Sequence, residues 1–323
     1  MTNPRFLSFN GEIVPYQDAK VHVLTPGLKY GTGVFEGLRA YWNDSQGELH
    51  IFRLREHLDR LQYSLRVMRY EHQLTNEVIE RALLDLVRAN EMREDLHIRL
   101  LVWVDGDGEI HTVGPIGWMI AALPRPLNKL VHSGINVCVS SWQRIADNSM
   151  PARVKSTSNY VNGRLAGMQA KLDGYDNVLF LTQQGRVSES VTSCFFMVRK
   201  GKLITPSVTS SILESITRAT VMELAAELTQ QASLERDIDR TEIYAADEAF
   251  LCGTAQEIVP ILTLDRIPVG TGQPGTLTRQ LQARYFALVR GEADNHPDWL
   301  TPVWSARRPM MNTPSRTLPT AQT

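Results

Sequence analysis

The chain has 323 residues, 43% hydrophobic and 21% charged, with a formal net charge of -1. That is enough apolar chain for a large core and about two domains. The balanced charge excludes a basic footprint for nucleic acid and a broad attraction to anionic membrane. Cys138, Cys194 and Cys252 have neither disulfide nor metal-ligand spacing, which predicts a reducing cytoplasm and no metal site. No run reaches the roughly 18 apolar residues of a membrane span, and the first residues lack a signal peptide's apolar core. The expected partner is a small molecule.

In chain order, residues 6 to 9, an Asn10-Gly11 turn and residues 13 to 14 predict a hairpin, because Asn-Gly tolerates the positive φ of a tight turn. Leu54, Leu58, Leu61, Leu65 and Met68 recur at helical spacing, and Thr75 can cap a second helix carrying Ile79, Leu83, Leu86 and Val87. Strands follow at about 97 to 104 and 117 to 123. The prolines of Leu123-Pro124-Arg125-Pro126 resist helix and central strand alike, so a domain boundary is expected there. This divides the chain into a domain over 1–124, a linker over 125–132 and a larger domain over 133–304. The second half alternates: strands at 135–141, 177–182, 194–199, 232–236 and 248–252, helices at about 159–173, 216–229 and 276–291. Residues 305–323 lose periodicity and read as a disordered tail.

Several stretches carry possible chemistry, each with an ordinary alternative. Lys155, in Val154-Lys155-Ser156-Thr157-Ser158-Asn159-Tyr160, sits among small hydroxyl and amide residues, although a solvated lysine is the commoner fate of that side chain. Gly31-Thr32-Gly33 lacks the spacing and the strand-loop-helix setting of a dinucleotide loop, and a turn presenting Tyr30 and Phe35 to a pocket suits it better. Thr209 through Arg218 leads into an amphipathic run, which makes either an anion site at a helix start or plain capping by Ser215. Phe250-Leu251-Cys252-Gly253-Thr254-Ala255 ends a strand in a turn that offers N–H groups to an anion or simply closes the chain. Glu189 ends a short strand, where a solvated carboxylate is usual.

Taken in order, lysine, tyrosine, glutamate, Ser/Thr helix start and Gly-Thr-Ala turn resemble the class IV pyridoxal-phosphate aminotransferases, and among them the branched-chain amino-acid aminotransferases. Tyr30-Gly31-Thr32-Gly33-Val34-Phe35-Glu36-Gly37, Phe52 through Leu61, Val139-Ser140-Ser141-Trp142-Gln143-Arg144, and Leu213-Glu214-Ser215-Ile216-Thr217-Arg218 carry the likeness over nearly all of residues 5 to 300. The resemblance implies a two-domain fold of mixed α+β and α/β content, the D-amino-acid-aminotransferase-like fold type IV, with a small α/β domain and a larger pseudo-barrel. It also implies a homodimer or higher homo-oligomer with the cofactor between the domains.

By the same resemblance, Lys155 would bind pyridoxal 5'-phosphate as a Schiff base and then act as the proton carrier, while Glu189 would pair with the pyridine nitrogen. Tyr160 would meet the phenolic oxygen. Arg60, the N–H groups of Ile216 and Thr217, and Thr254 would hold the phosphate, with Leu213 also against the cofactor. Gly253, Thr254 and Ala255 would receive the substrate α-carboxylate, and Tyr30, Phe35, Gly37, His97 and Arg99 would line the side-chain pocket. The implied reaction is ping-pong transfer from leucine, isoleucine or valine to 2-oxoglutarate. Three departures from the branched-chain pattern bear on substrate: His97 where a tyrosine is usual, an interdomain segment 123–128 without an aromatic wall, and a short loop at Asp105-Gly106-Asp107-Gly108-Glu109. Cys194 replaces the usual asparagine. The rivals on this fold are an (R)-selective amine transaminase, a D-amino-acid transaminase, a lyase acting on aminodeoxychorismate and a non-catalytic binding protein.

Overall fold

Asn10 and Gly11 both adopt positive φ, 53° and 91°, which closes a two-residue hairpin with the twist its strands need. β1 (Phe6–Phe9) and β2 (Glu12–Pro15) flank it, with Phe9 opposite Glu12. The computed structural model describes residues 3–305. Beyond Ser305, the tail expected over 305–323 lies outside the described residues.

After the hairpin come α1 (Pro26–Lys29), β3 (Val34–Asn43), β4 (Glu48–Phe52), α2 (Leu54–Val67), α3 (Asn76–Ala89), β5 (Leu96–Val104) and β6 (Ile116–Pro124). Then follow α4 (Leu130–Ser133), β7 (Ile135–Gln143), α5 (Asn159–Leu172), β8 (Asn177–Leu181), β9 (Val187–Ser190), β10 (Cys194–Arg199) and β11 (Lys202–Thr205). The chain continues through α6 (Ile216–Thr229), β12 (Leu234–Glu235), β13 (Glu248–Gly253), β14 (Glu257–Leu264), β15 (Ile267–Pro268), α7 (Thr276–Val289) and β16 (Leu300–Pro302).

Two sheets result among the described residues. The first runs β16-β4-β3-β5-β6-β1-β2, and the second runs β12-β11-β10-β13-β14-β7-β8-β9 with β15 paired to β14. On the first, Leu58, Leu61 and Leu65 of α2 and Ile79, Leu83 and Leu86 of α3 pack on Leu38, Ile98 and Leu100. Their spacing places one apolar stripe toward the sheet, as the periodicity predicts, and the Thr75 hydroxyl accepts from the Val78 N–H at the start of α3. The second sheet is covered on one face by a cluster that includes Leu224 and Ala225 of α6 and Leu281 and Leu288 of α7. A separate cluster holds Val137, Phe195, Leu251 and Val259.

One segment departs from a simple division of the chain. β16 pairs antiparallel with β4, Thr301 opposite Ile51, so residues 300 to 302 complete the first sheet rather than the second. The Gly31-Thr32-Gly33 turn leads into a ten-residue strand that the residue pattern does not mark. Glu36 and Arg39 interrupt the apolar alternation that would mark a strand, yet both are buried in β3 because each has a charged partner, as described below.

Candidate active site

Lys155 lies in the loop between β7 and α5, and β3 and α2 fix its backbone. Its carbonyl accepts from the Phe35 N–H at 2.9 Å and its N–H donates to Ser64 Oγ at 3.3 Å. Asn159 Nδ2 ties the loop behind it by donating to the carbonyls of Pro151 and Val154. From this anchored backbone Lys155 Nζ donates to the Tyr160 hydroxyl at 2.7 Å, with the Phe35 ring centroid 4.8 Å away. The amine is half-buried and faces a cavity of about 300 Å³ between the two sheets.

The Glu189 carboxylate forms another part of that wall. It is 5% exposed, pairs with Arg144 Nη2 at 2.7 Å and accepts from the Leu213 N–H at 3.3 Å. Burial pushes its pKa up, against the pull of Arg144 and the Leu213 N–H. The Cys194 thiol donates to Glu189 Oε2 at 3.8 Å, and burial, then Glu189, pushes that thiol up to about 12. It therefore stays protonated at neutral pH.

Arg60 reaches the cavity from α2. Its Nε and Nη2 grip both oxygens of Glu36 at 2.8 Å, and Nη1 donates to the Glu214 carbonyl at 2.9 Å. His57 Nδ1 lies 2.7 Å from the same carboxylate. Burial opposes charge on Glu36, but Arg60 and His57 overcome it and hold that carboxyl far below the usual range. Nearby, Leu213 and Ser215 line the cavity where α6 begins at Ile216. Ile216 and Thr217 occupy the first turn of α6, whose N–H groups have no intrahelical acceptor.

The substrate-facing wall comes from strand pairing. Gly37 stands opposite Arg99 and Arg39 opposite His97 in the β3–β5 ladder, so these residues share one face with Phe35. A Cβ on Gly37 would sit 3.2 Å from His97 Cε1, and glycine therefore makes room for the imidazole. His97 is 8% exposed with Nδ1 unpartnered. Burial, then Arg125, Arg99, Arg39 and Lys155, pushes it down to about 4. Gly253, Thr254 and Ala255 complete the wall in the turn from β13 to β14, where the Gln256 N–H closes onto the Gly253 carbonyl.

The cavity therefore brings together Phe35, Gly37, Arg60, His97, Arg99, Lys155, Tyr160, Glu189, Leu213 and residues 253 to 255. Tyr30 is not among its lining residues: its hydroxyl donates to Glu109 Oε2 at 2.6 Å, drawn toward the 105–109 loop. Arg144 and Arg125 line the cavity although sequence reasoning gave neither a role. Nor did it give one to Glu36. Arg144 follows β7 directly, a position that the end of an apolar run could have flagged. Glu36 and Arg125 carry no local signal, because their places depend on strand register.

An amine beside a phenol, a buried carboxylate backed by arginine, and free N–H groups at a helix start together suit an aldehyde-bearing pyridine with a phosphate. Fold and cavity define an aminotransferase of class IV, and residues 33–264 match the family model for amino-transferase class IV. The chain belongs to that family. Within it, the chain is 38% identical over 305 residues to the branched-chain-amino-acid aminotransferase of Escherichia coli, covering 92% of this chain and 97% of that one. It is 37% identical over 301 residues to the Pseudomonas aeruginosa enzyme of the same name, covering 91% and 95%. The PLP-form crystal structure of branched-chain amino acid aminotransferase from Thermobaculum terrenum is 44% identical, covers 94% of this chain and 99% of that one, and has a TM-score of 0.89. Among the described residues no helix is long and apolar enough to cross a membrane.

Proposed function

We propose that this protein is a pyridoxal 5'-phosphate-dependent transaminase that moves the amino group of leucine, isoleucine or valine to 2-oxoglutarate by a ping-pong route. The observation that carries the chemistry is the 2.7 Å contact of Lys155 Nζ with the Tyr160 hydroxyl, in one cavity with the arginine-backed carboxylate of Glu189. When bound, the cofactor supplies the electron sink for charge left at the substrate Cα. Lys155 Nζ would hold the cofactor through its aldehyde, and the same amine is the base placed to carry the proton of the substrate Cα. Tyr160 orients that amine and meets the phenolic oxygen. Glu189, held in place by Arg144 and raised by burial, would pair with the cofactor's ring nitrogen and share its proton. Arg60, anchored by Glu36, would join the α6 N–H groups at Ile216 and Thr217 and the Thr254 hydroxyl in holding the phosphate, and Leu213 would pack against the cofactor. The turn Gly253-Thr254-Ala255 takes the α-carboxylate, and Phe35, Gly37, His97 and Arg99 shape the side-chain pocket.

The same reading includes a cytoplasmic setting, supported by the bacterial relatives, and, from the family resemblance alone, a homodimer or higher homo-oligomer. It also includes a small domain over 1–124, a linker over 125–132 and a larger domain over 133–304; the change of sheet after residue 124 supports the boundary, while residues 300 to 302 return to the first sheet. The test is a donor panel with 2-oxoglutarate as acceptor. L-leucine should be turned over faster than D-alanine or (R)-1-phenylethylamine, and a lead by either rival overturns the substrate assignment. Lys155→Ala should lose the visible band of the lysine-bound cofactor and slow turnover by roughly 10²–10⁴-fold or more, with the circular dichroism of the fold unchanged.

A further inference from the structure

The wall built by β5 and the segment after β6 carries more positive charge than one carboxylate needs. Arg60 is matched by Glu36 and Arg144 by Glu189. Arg99 and Arg125 also line the cavity, and among the described residues neither makes an ion pair. Arg99 Cζ lies 5.9 Å from the Phe35 ring centroid, and Arg125 Nη2 donates to the Ala255 carbonyl at 3.3 Å. His97 adds no charge between them at neutral pH, yet its buried Nδ1 has no partner. An unpartnered polar side chain this buried, facing two unpaired guanidinium groups, marks a place prepared for a ligand.

Arg125 is exposed, but its backbone is not free. Its N–H donates to the Asp95 carbonyl at 2.8 Å and its carbonyl accepts from Arg39 Nη1 at 2.7 Å. Three residues on, the Asn128 N–H donates to Glu257 Oε2 at 3.0 Å. Arg39 and Glu257 are themselves a buried ion pair at 3.2 Å, each side chain 1% exposed. A charged pair inside the protein thus fixes both ends of the segment that presents Arg125, which a merely solvated arginine does not require.

A branched-chain donor brings one carboxylate, and the 253–255 turn offers N–H groups for it. A dicarboxylic substrate brings a second. We infer that Arg125 is a specificity residue of this chain: together with Arg99 it receives the second carboxylate of a dicarboxylic substrate, the charge class of glutamate and 2-oxoglutarate. This rests on the transaminase reading and adds to it a residue from the interdomain segment. Guanidinium groups suit the task because their planar fork binds carboxylate in two parallel hydrogen bonds.

The test uses the holoenzyme and two unreactive acids, glutarate with two carboxylates and 4-methylvalerate with one, titrated by calorimetry into wild type, Arg125→Ala and the equally long Arg125→Gln. Half-reaction rates with L-glutamate and L-leucine are read beside them. Both variants should bind glutarate about 10- to 100-fold more weakly and lose a similar factor in kcat/KM for L-glutamate, the usual consequence of removing a charged hydrogen-bond partner. Their 4-methylvalerate affinity and L-leucine rate should stay within about twofold. Equal losses for both acids would place Arg125 at the α-carboxylate or in the fold, and no loss for either would leave it outside the site; each overturns the inference. Failure of the wild type to use L-leucine would instead sink the branched-chain assignment, and the glutarate to 4-methylvalerate ratio would still judge Arg125.

Discussion

His97 is a histidine that this fold keeps uncharged. Folded, it titrates at about 4, against an ordinary value of 6.5, first because it is buried and then because Arg125, Arg99, Arg39 and Lys155 surround it. Between those two values the unfolded chain takes up a proton that the folded one refuses. Its contribution is therefore complete above pH 6.5 and is lost as pH falls toward 4, by about 3 kcal/mol over the window. We expect His97→Gln to remove about that much acid sensitivity, read as a smaller drop in urea midpoint between pH 7 and pH 4.5; an unchanged drop would mean that His97 is not the group responsible. At this scale, chemistry was legible where the residue type is itself specific. A lysine, a tyrosine and a carboxylate in the right order led to Lys155, Tyr160 and Glu189, which share one cavity. Tyr30 shows the converse: its neighbours predicted a pocket, but Glu109 offers its hydroxyl a carboxylate elsewhere.

At the scale of elements, periodicity located α2, α3, α6 and α7 because each buries one stripe. Leu61 lies at the centre of the α2 stripe and is fully buried against the first sheet. Leu61→Ala should therefore cost about 2–5 kcal/mol of unfolding free energy, measured by chemical denaturation, while leaving the visible spectrum of the bound cofactor in place. Strands were harder to see wherever partners decide them. β3 hides behind Glu36 and Arg39, whose charges are satisfied only by α2 and β14. β14 hides behind Pro260, since proline lacks the N–H that a central strand needs. The sheet accommodates it: Pro260 faces Phe250 on β13, and pairing with β7 begins only at Ile261.

Across the whole molecule, Arg39 on the first sheet and Glu257 on the second join the two halves. Glu257 also accepts from the Tyr41 hydroxyl at 3.1 Å, and its pKa is raised by burial against the pull of Arg39. Removing one member of such a pair strands the other charge in the interior. Glu257→Ala should destabilise the protein by about 3–5 kcal/mol and, by releasing Asn128, also weaken glutarate binding at the Arg125 segment. Denaturation midpoints and glutarate titration check the two effects separately, and unaltered stability would show that the pair does not hold the sheets together.

The return of β16 to β4 has a consequence for how the polypeptide is made. Glu48 waits at the start of β4 for the N–H groups of Val303, Trp304 and Ser305, some 250 positions downstream. On the ribosome, that edge stays unzipped until residues 300 to 305 have emerged, so the first sheet is sealed only after the strands of the second have been made.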